Sequence, residues 1–225
     1  MKRTVTFGEI MLRLKTPEHM RILQTDAFEA SYGGAEANVA VSLAVLKDPV
    51  SFVTKLPENP VGTAALNEVR RYGADTSKVV IGGSRLGIYF FEKGTDIRPT
   101  NVVYDREGSA LALAKPEEFH WDEILKDTDI FYFSGVTPAV SENIAKAVLE
   151  ALKYCKAHGI ETVCDLNYRS KMWDTKKAQS VMSELMNYVT LCIANDEDFE
   201  SSLGIHAYDG DISKGIDQIE ATRQA

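Results

Sequence analysis

The sequence predicts an α/β fold in which a parallel sheet carries helices on both faces and a small β-sheet forms a lid. Three observations lead there. Short β-rich runs alternate with helical stretches at the start of the chain and again from Asp129, the pattern of parallel strands joined by crossover helices. The stretch SYGGAEANVAVSLAVL, Ser31 to Leu46, sets two adjacent glycines before a segment that is apolar almost all round, as in a helix enclosed by other elements. Between Val79 and Leu113 the alternation gives way to short β-like runs separated by Gly, Asp and Pro.

Thr4 to Phe7, ending at Gly8, reads as a centrally buried first strand. MLRLK at 11 to 15 alternates apolar with basic residues and reads as a half-polar strand that covers something at the edge. The glycine-led helix follows, then a strand from Val50 to Thr54 and a helix from Val61 to Tyr72 closed by Gly73 in the C′ position. RLGIYFFE, NVVYD and SALALA are expected to form an antiparallel excursion packed beside MLRLK as a flap or lid. After Asp129 come strand DIFYFSG, helix SENIAKAVLEALKYCKAHG with Ser141 as N-cap and Gly159 as stop, and strand IETVCDLN. A helix at 175 to 187, strand TLCIAN and a helix at 196 to 203 complete the alternation, and Ile212, Ile216 and Ile219 begin what reads as another amphipathic helix. Ligands of such sheets sit beyond the carboxyl ends of the strands, where Asn167, Tyr168 and Arg169 follow CDL and Asn195 follows LCIA.

Composition excludes several functions. Lys and Arg number 25 against 33 Asp and Glu, a net charge of −8 with no basic run to lie along phosphates, so nucleic acid is not an expected partner. No apolar run approaches membrane length, and Met1-Lys2-Arg3 leads into a stretch too polar for a signal-peptide core. Cys155, Cys164 and Cys192 are odd in number and lie in apolar surroundings, which reads as reduced core thiols and a cytoplasmic location. His19, His120, His158 and His206 are far apart with no ligating neighbour at metal spacing. The G-x-x-x-x-G-K-[ST] loop, G-x-G-x-x-G and C-x-x-C are all absent.

The candidate site begins at Gly33 and Gly34, where backbone N–H groups can approach a ligand at a helix N-terminus and Asn38, one turn in, can hydrogen-bond it. A side chain at Gly34 is expected to take the ligand's space; the alternative is a plain bend before a core helix. In YDREGSA an extended strand puts Tyr104 and Arg106 on one face, a phenol and a guanidinium suited to a ligand with hydroxyls and a carboxylate, and Tyr89 adds a third polar group. Ordinary strand aromatics with a solvated arginine are the competing reading. Arg169 and Asn167 add charge and polarity to the same crevice unless Arg169 pairs with Asp165 or Asp174. Asn195-Asp196-Glu197-Asp198 opens a helix with an amide and three carboxylates, which serve equally as caps or as a weak magnesium signal.

In order along the chain, FGEIMLRL, YGGAEANVAVSLAVL, LPENPVG, YDREGSALA, DLNYR and IANDEDFE resemble the PfkB, or ribokinase, family of carbohydrate kinases, and its branch acting on 2-keto-3-deoxygluconate in particular. The resemblance implies a ribokinase-like fold with a β lid formed by about 10–32 and 85–112. It implies ATP-dependent phosphorylation of the primary hydroxyl of that sugar acid, with Mg2+. Gly33, Gly34, Asn38, Tyr89, Tyr104, Arg106 and Arg169 are then the substrate contacts, while Asn167, Arg169 and Asn195 approach the ATP phosphates. The family's N-x-x-E element appears as N-D-E-D, so the position that orders magnesium is Asp198, one methylene shorter. A glycine usual after the first helix is Lys47 here. The resemblance also implies a homo-oligomer built through the lid. The family's G-A-G-D motif, which carries the aspartate base, is not found in these 225 residues, Tyr208-Asp209-Gly210-Asp211 being a poor substitute. The chain is therefore expected to be the amino-terminal part of one kinase domain and not to turn over alone. A family kinase for a neutral sugar such as fructose, and a non-catalytic sugar-binding fragment, are the alternatives.

Overall fold

The computed structural model describes residues 2–206. The expected helix around Ile212 to Ile219 and the Tyr208 to Asp211 segment lie outside them. Five parallel strands form the central sheet: β1 (Thr4–Phe7), then β4 (Val50–Val53), β9 (Ile130–Ser134), β10 (Glu161–Asp165) and β11 (Leu191–Ile193). Their spatial order is β11-β10-β9-β1-β4, every neighbour pair parallel. The chain leaves β1 toward β4 on one side and returns to β9 on the other, so the crevice at the carboxyl ends of β1 and β9 is a topological switch point.

Helices cover both faces. On one lie α1 (Ala35–Val45) and α2 (Pro60–Arg70), whose Ala37, Ala40, Ala65 and Val69 pack with Val50 and Phe52. Asn59 caps α2, accepting from the N–H groups of Val61 and Gly62, and Pro60 occupies its first turn, where a missing N–H costs nothing. On the other face α4 (Glu142–His158) buries Ile144, Ala147, Val148, Ala151, Leu152 and Cys155, a 3.6-residue stripe laid on Val5, Phe7, Phe131 and Phe133. Ser141 caps it and Gly159, at φ 69°, ends it. The short α3 (Trp121–Ile124) packs on α4, and α5 (Thr175–Met186) and α6 (Asp196–Leu203) pack on each other beside β10 and β11.

Chain order and caps match the sequence reading, and three expectations change. The Ser31 to Leu46 helix is not enclosed: Ala37, Ala40 and Ala44 face the sheet, while Val45 and Leu46 are 56% and 71% exposed. Apolar content alone does not bury a helix that has only one neighbouring surface. SALALA forms turns, not a strand, because Ser109 and the residues after it fold back under the site. The small sheet is mixed instead of wholly antiparallel. It consists of β2 (Met11–Lys15), β3 (Glu29–Gly33), β7 (Ile88–Glu92) and β8 (Asn101–Asp105) in the order β3-β2-β7-β8, with the central pair β2 and β7 parallel. Two-residue strands β5 (Lys55–Leu56) and β6 (Val80–Ile81) pair separately, and β3 and this pair were not foreseen.

Candidate functional site

An open cavity of about 1240 Å³ lies between the carboxyl end of the central sheet and the inner face of the small sheet. Strand periodicity decides what faces it. Register pairs Ser31 with Arg13, Arg13 with Tyr89 and Tyr89 with Tyr104, so one row of side chains crosses all four strands on the cavity side. Gly33 and Met11 form the row nearest the central sheet. The Tyr89 and Tyr104 rings lie 5.8 Å apart. Burial pushes the Tyr89 phenol above its usual range, against the pull of the Arg13 charge beside it.

The two glycines do different work. Gly34 is the N-cap of α1 in an extended conformation, and a Cβ there would overlap the backbone carbonyl oxygen of Glu9. A Cβ on Gly33 would stand 3.7 Å from Asn38 Oδ1 and 3.9 Å from Tyr89 Oη, in ordinary contact at the cavity wall. The expectation that a side chain at Gly34 takes ligand space is therefore corrected: Gly34 lets two backbones meet, and Gly33 borders the open cavity. Both line the cavity, as does Asn38.

Arg106 follows β8 and stands 6.0 Å from the Tyr104 ring centroid. It is not solvated: Nε and Nη2 donate to Glu9 Oε2, the former at 3.0 Å, and Nη1 lies 3.1 Å from Met172 Sδ. Ser109 Oγ donates to the other Glu9 oxygen at 2.6 Å. Nη1, facing a weak acceptor, is the part of the fork left for a ligand. Arg169 borders the cavity and donates from Nη1 to the Tyr168 carbonyl at 3.1 Å; it makes no ion pair with Asp165 or Asp174.

At the strand ends, Asn167 holds φ 39°, a left-handed turn that asparagine tolerates, and lines the cavity with Asn195. Asn195 caps α6, its Oδ1 accepting from the Asp198 N–H at 2.8 Å, and Asp198 Oδ1 accepts from the Tyr168 N–H at 2.9 Å. Burial first and the nearby Asp198 charge second raise the Asp165 carboxyl above its usual range, with Arg169 opposing. Among the described residues no three His, Cys, Asp or Glu side chains group to hold a metal.

The sequence reading missed Glu36. It is fully buried at the switch point, where its Oε1 accepts from Ser134 N–H at 2.9 Å, Ser134 Oγ–H at 2.6 Å and Thr137 Oγ1–H at 2.8 Å. Gly8 leaves it room, since a Cβ there would overlap Glu36 Oε2. A lone acid inside YGGAEANVA was the available signal. Glu9 and Arg13 were missed as well, although the alternation of MLRLK already puts Met11, Arg13 and Lys15 on one face.

A model of the pfkB family carbohydrate kinases matches residues 1–225. The chain belongs to that family. This pfkB chain is 38% identical over 207 residues to the 2-dehydro-3-deoxygalactonokinase of Haloferax volcanii, covering 92% of itself and 64% of that protein. The crystal structure of 2-dehydro-3-deoxygluconokinase from Thermotoga maritima superposes with a TM-score of 0.91 at 47% identity, covering 99% of the pfkB chain and 69% of the other. A PfkB family carbohydrate kinase from Listeria grayi gives 0.89 at 34% identity, covering 97% and 69%. The chain thus spans about two thirds of the length of these relatives. No described helix is long and apolar enough to cross a membrane, and all three cysteines are free, burial pushing the Cys155 thiol up to about 12.

Proposed function

We propose that this chain carries the sugar-acid site of a kinase that phosphorylates the primary hydroxyl of 2-keto-3-deoxygluconate with ATP. The observation that carries the reading is the inner face of the small sheet: tyrosine hydroxyls and guanidinium groups face the glycine turn, in a chain whose net charge is otherwise −8. A keto-deoxy acid offers hydroxyls for the former and a carboxylate for the latter. Relatives named for 2-dehydro-3-deoxy sugar acids, the same chemical class, support it.

Within that reading Gly33 and Asn38 hold the sugar from one side, while Tyr89, Tyr104 and the free edge of Arg106 hold it from the other. The small sheet acts as a lid that orients the hydroxyl and excludes water. Asn167, Arg169 and Asn195 lie at the strand ends where the phosphates of ATP fit. MgATP supplies the transferred group and shields its charge. The donor set fits magnesium held mainly by phosphates and water, since Asp198 and Asp165 lie near each other there, no described group of three ligating side chains forms, and Mg2+ commonly takes one or two carboxylates. We place the protein in the cytoplasm and infer a homo-oligomer through the outer face of the lid, where Leu14 and Phe90 are half-buried and Val103 is 47% exposed. Light scattering on Val103→Lys, expected monomeric, checks the latter.

One observation favours a neutral sugar such as fructose: Glu9 already neutralises Arg106. Steady-state phosphorylation by the full-length protein separates the two. The expected result is kcat/KM for the keto-deoxy acid at least about a hundredfold above that for fructose, since unmatched polar groups discriminate strongly; equal values reject the sugar-acid reading.

A further inference from the structure

Among the described residues four cationic side chains border the cavity, and three are engaged within the chain. Arg106 pairs with Glu9, Arg169 donates to the Tyr168 carbonyl, and Lys171 Nζ donates to the Val102 carbonyl at 2.9 Å. Arg13 is the fourth. It makes no hydrogen bond or ion pair with any described residue, and its Nε is buried with no partner. Its guanidinium carbon sits 4.0 Å from the Phe91 ring centroid, a contact that positions a charge without satisfying its donors.

Such a group is costly where it stands, because its Nε–H donor is drawn from water and given no acceptor. The Glu9 and Arg106 pair has no net charge to offer an anion, whereas Arg13 has a whole one. Register sets Arg13 in the middle of the cavity-facing row, between Ser31 and Tyr89, with Tyr104 one strand further.

We propose that Arg13 receives the carboxylate of the substrate and so determines the preference for an acid over a neutral sugar, an assignment that rests on the sugar-acid reading above. Arg13 lines the cavity, and its Nη1 and Nη2 groups, in no bond with a described residue, can make two parallel N–H···O bonds to a carboxylate. Tyr89 and Tyr104 then take neighbouring hydroxyls. Arg106, held by Glu9, shapes the end of the pocket.

The test uses the full-length protein with Arg13→Met, which keeps the stem on Phe91, and Arg13→Lys, which keeps the charge without the fork. Thermal unfolding establishes that each is folded; if the methionine variant is not, Arg13→Gln replaces it. KM for 2-keto-3-deoxygluconate is expected to rise at least about tenfold in Arg13→Met and by less in Arg13→Lys, with kcat little changed and KM for fructose unmoved. A folded methionine or glutamine variant with wild-type KM for the acid, in a protein that prefers the acid, overturns Arg13 alone. A wild-type protein that prefers fructose overturns the sugar-acid reading, and the role of Arg13 with it.

Discussion

A methyl group on Gly34 meets the Glu9 carbonyl oxygen, whereas one on Gly33 meets only van der Waals neighbours. Gly34→Ala is therefore expected to lower stability by about 1–3 kcal/mol, the range for overpacking, since backbone cannot swing aside as a side chain can. Gly33→Ala is expected to leave the thermal transition nearly in place and weaken sugar binding; calorimetric titration and melting of both variants check the contrast. Lys47 is the opposite case. It sits at φ 70° just beyond α1, with its N–H on the Ala44 carbonyl and the Asp48 N–H on the Leu43 carbonyl, a helix ending that glycine adopts freely. Lys47→Gly is expected to raise stability by about 0.5–1 kcal/mol in urea unfolding, the left-handed strain of lysine outweighing the added entropy of glycine in the unfolded chain. Glu36 controls a pH dependence. Burial outweighs its hydrogen bonds and raises its carboxyl above the ordinary value, so the folded state keeps a proton the unfolded state loses near pH about 4.3. Its contribution is fully present below that pH and is lost as pH rises toward the folded value. Glu36→Gln, which cannot titrate, is expected to flatten this decline; parallel slopes of urea midpoint against pH in the two proteins would show that Glu36 is not its source.

Among the elements, a buried tie links β8 to the body of the molecule. Glu9, 5% exposed in its side chain, takes both Arg106 and Ser109 from the chain just after β8. Glu9→Gln leaves the guanidinium without its counter-charge and is expected to cost about 2–3 kcal/mol, somewhat under the usual figure for a fully buried pair because Arg106 retains 16% side-chain exposure. Faster hydrogen exchange of the β8 amides, Asn101 to Asp105, is the accompanying sign. Arg106→Ala is consequently a poor probe of substrate charge, because it strands Glu9 whatever the ligand. The strands of the small sheet were legible in MLRLK, GIYFF and NVVYD, since alternation and β-branched or aromatic residues mark a sheet with two unlike faces. The parallel pairing of β2 with β7 was not, because two strands some seventy residues apart carry no local mark of direction.

The molecule as a whole joins two sheets across one cavity, so a ligand that bridges them stabilises both. The sugar acid at about a hundred times its dissociation constant is expected to raise unfolding stability by about 2.7 kcal/mol, and fructose at the same concentration by much less; a thermal shift assay compares them. What residue order alone established is the alternation of strands and helices, their caps at Ser141, Gly159 and Asn195, and the placing of Asn167, Arg169 and Asn195 at the carboxyl ends of strands. Those features are local, written in periodicities of two and 3.6 and in single capping side chains. Pairing across the fold was not written there. Glu9 meets Arg106 from 97 positions away, and Glu36 meets Ser134 from 98. An arginine in a motif reads the same whether its charge is spent or open. Burial and partners separate Arg106 from Arg13, and both arise only when distant strands close on one another, because the energy of a charge depends on what surrounds it in space and not on its neighbours in the chain.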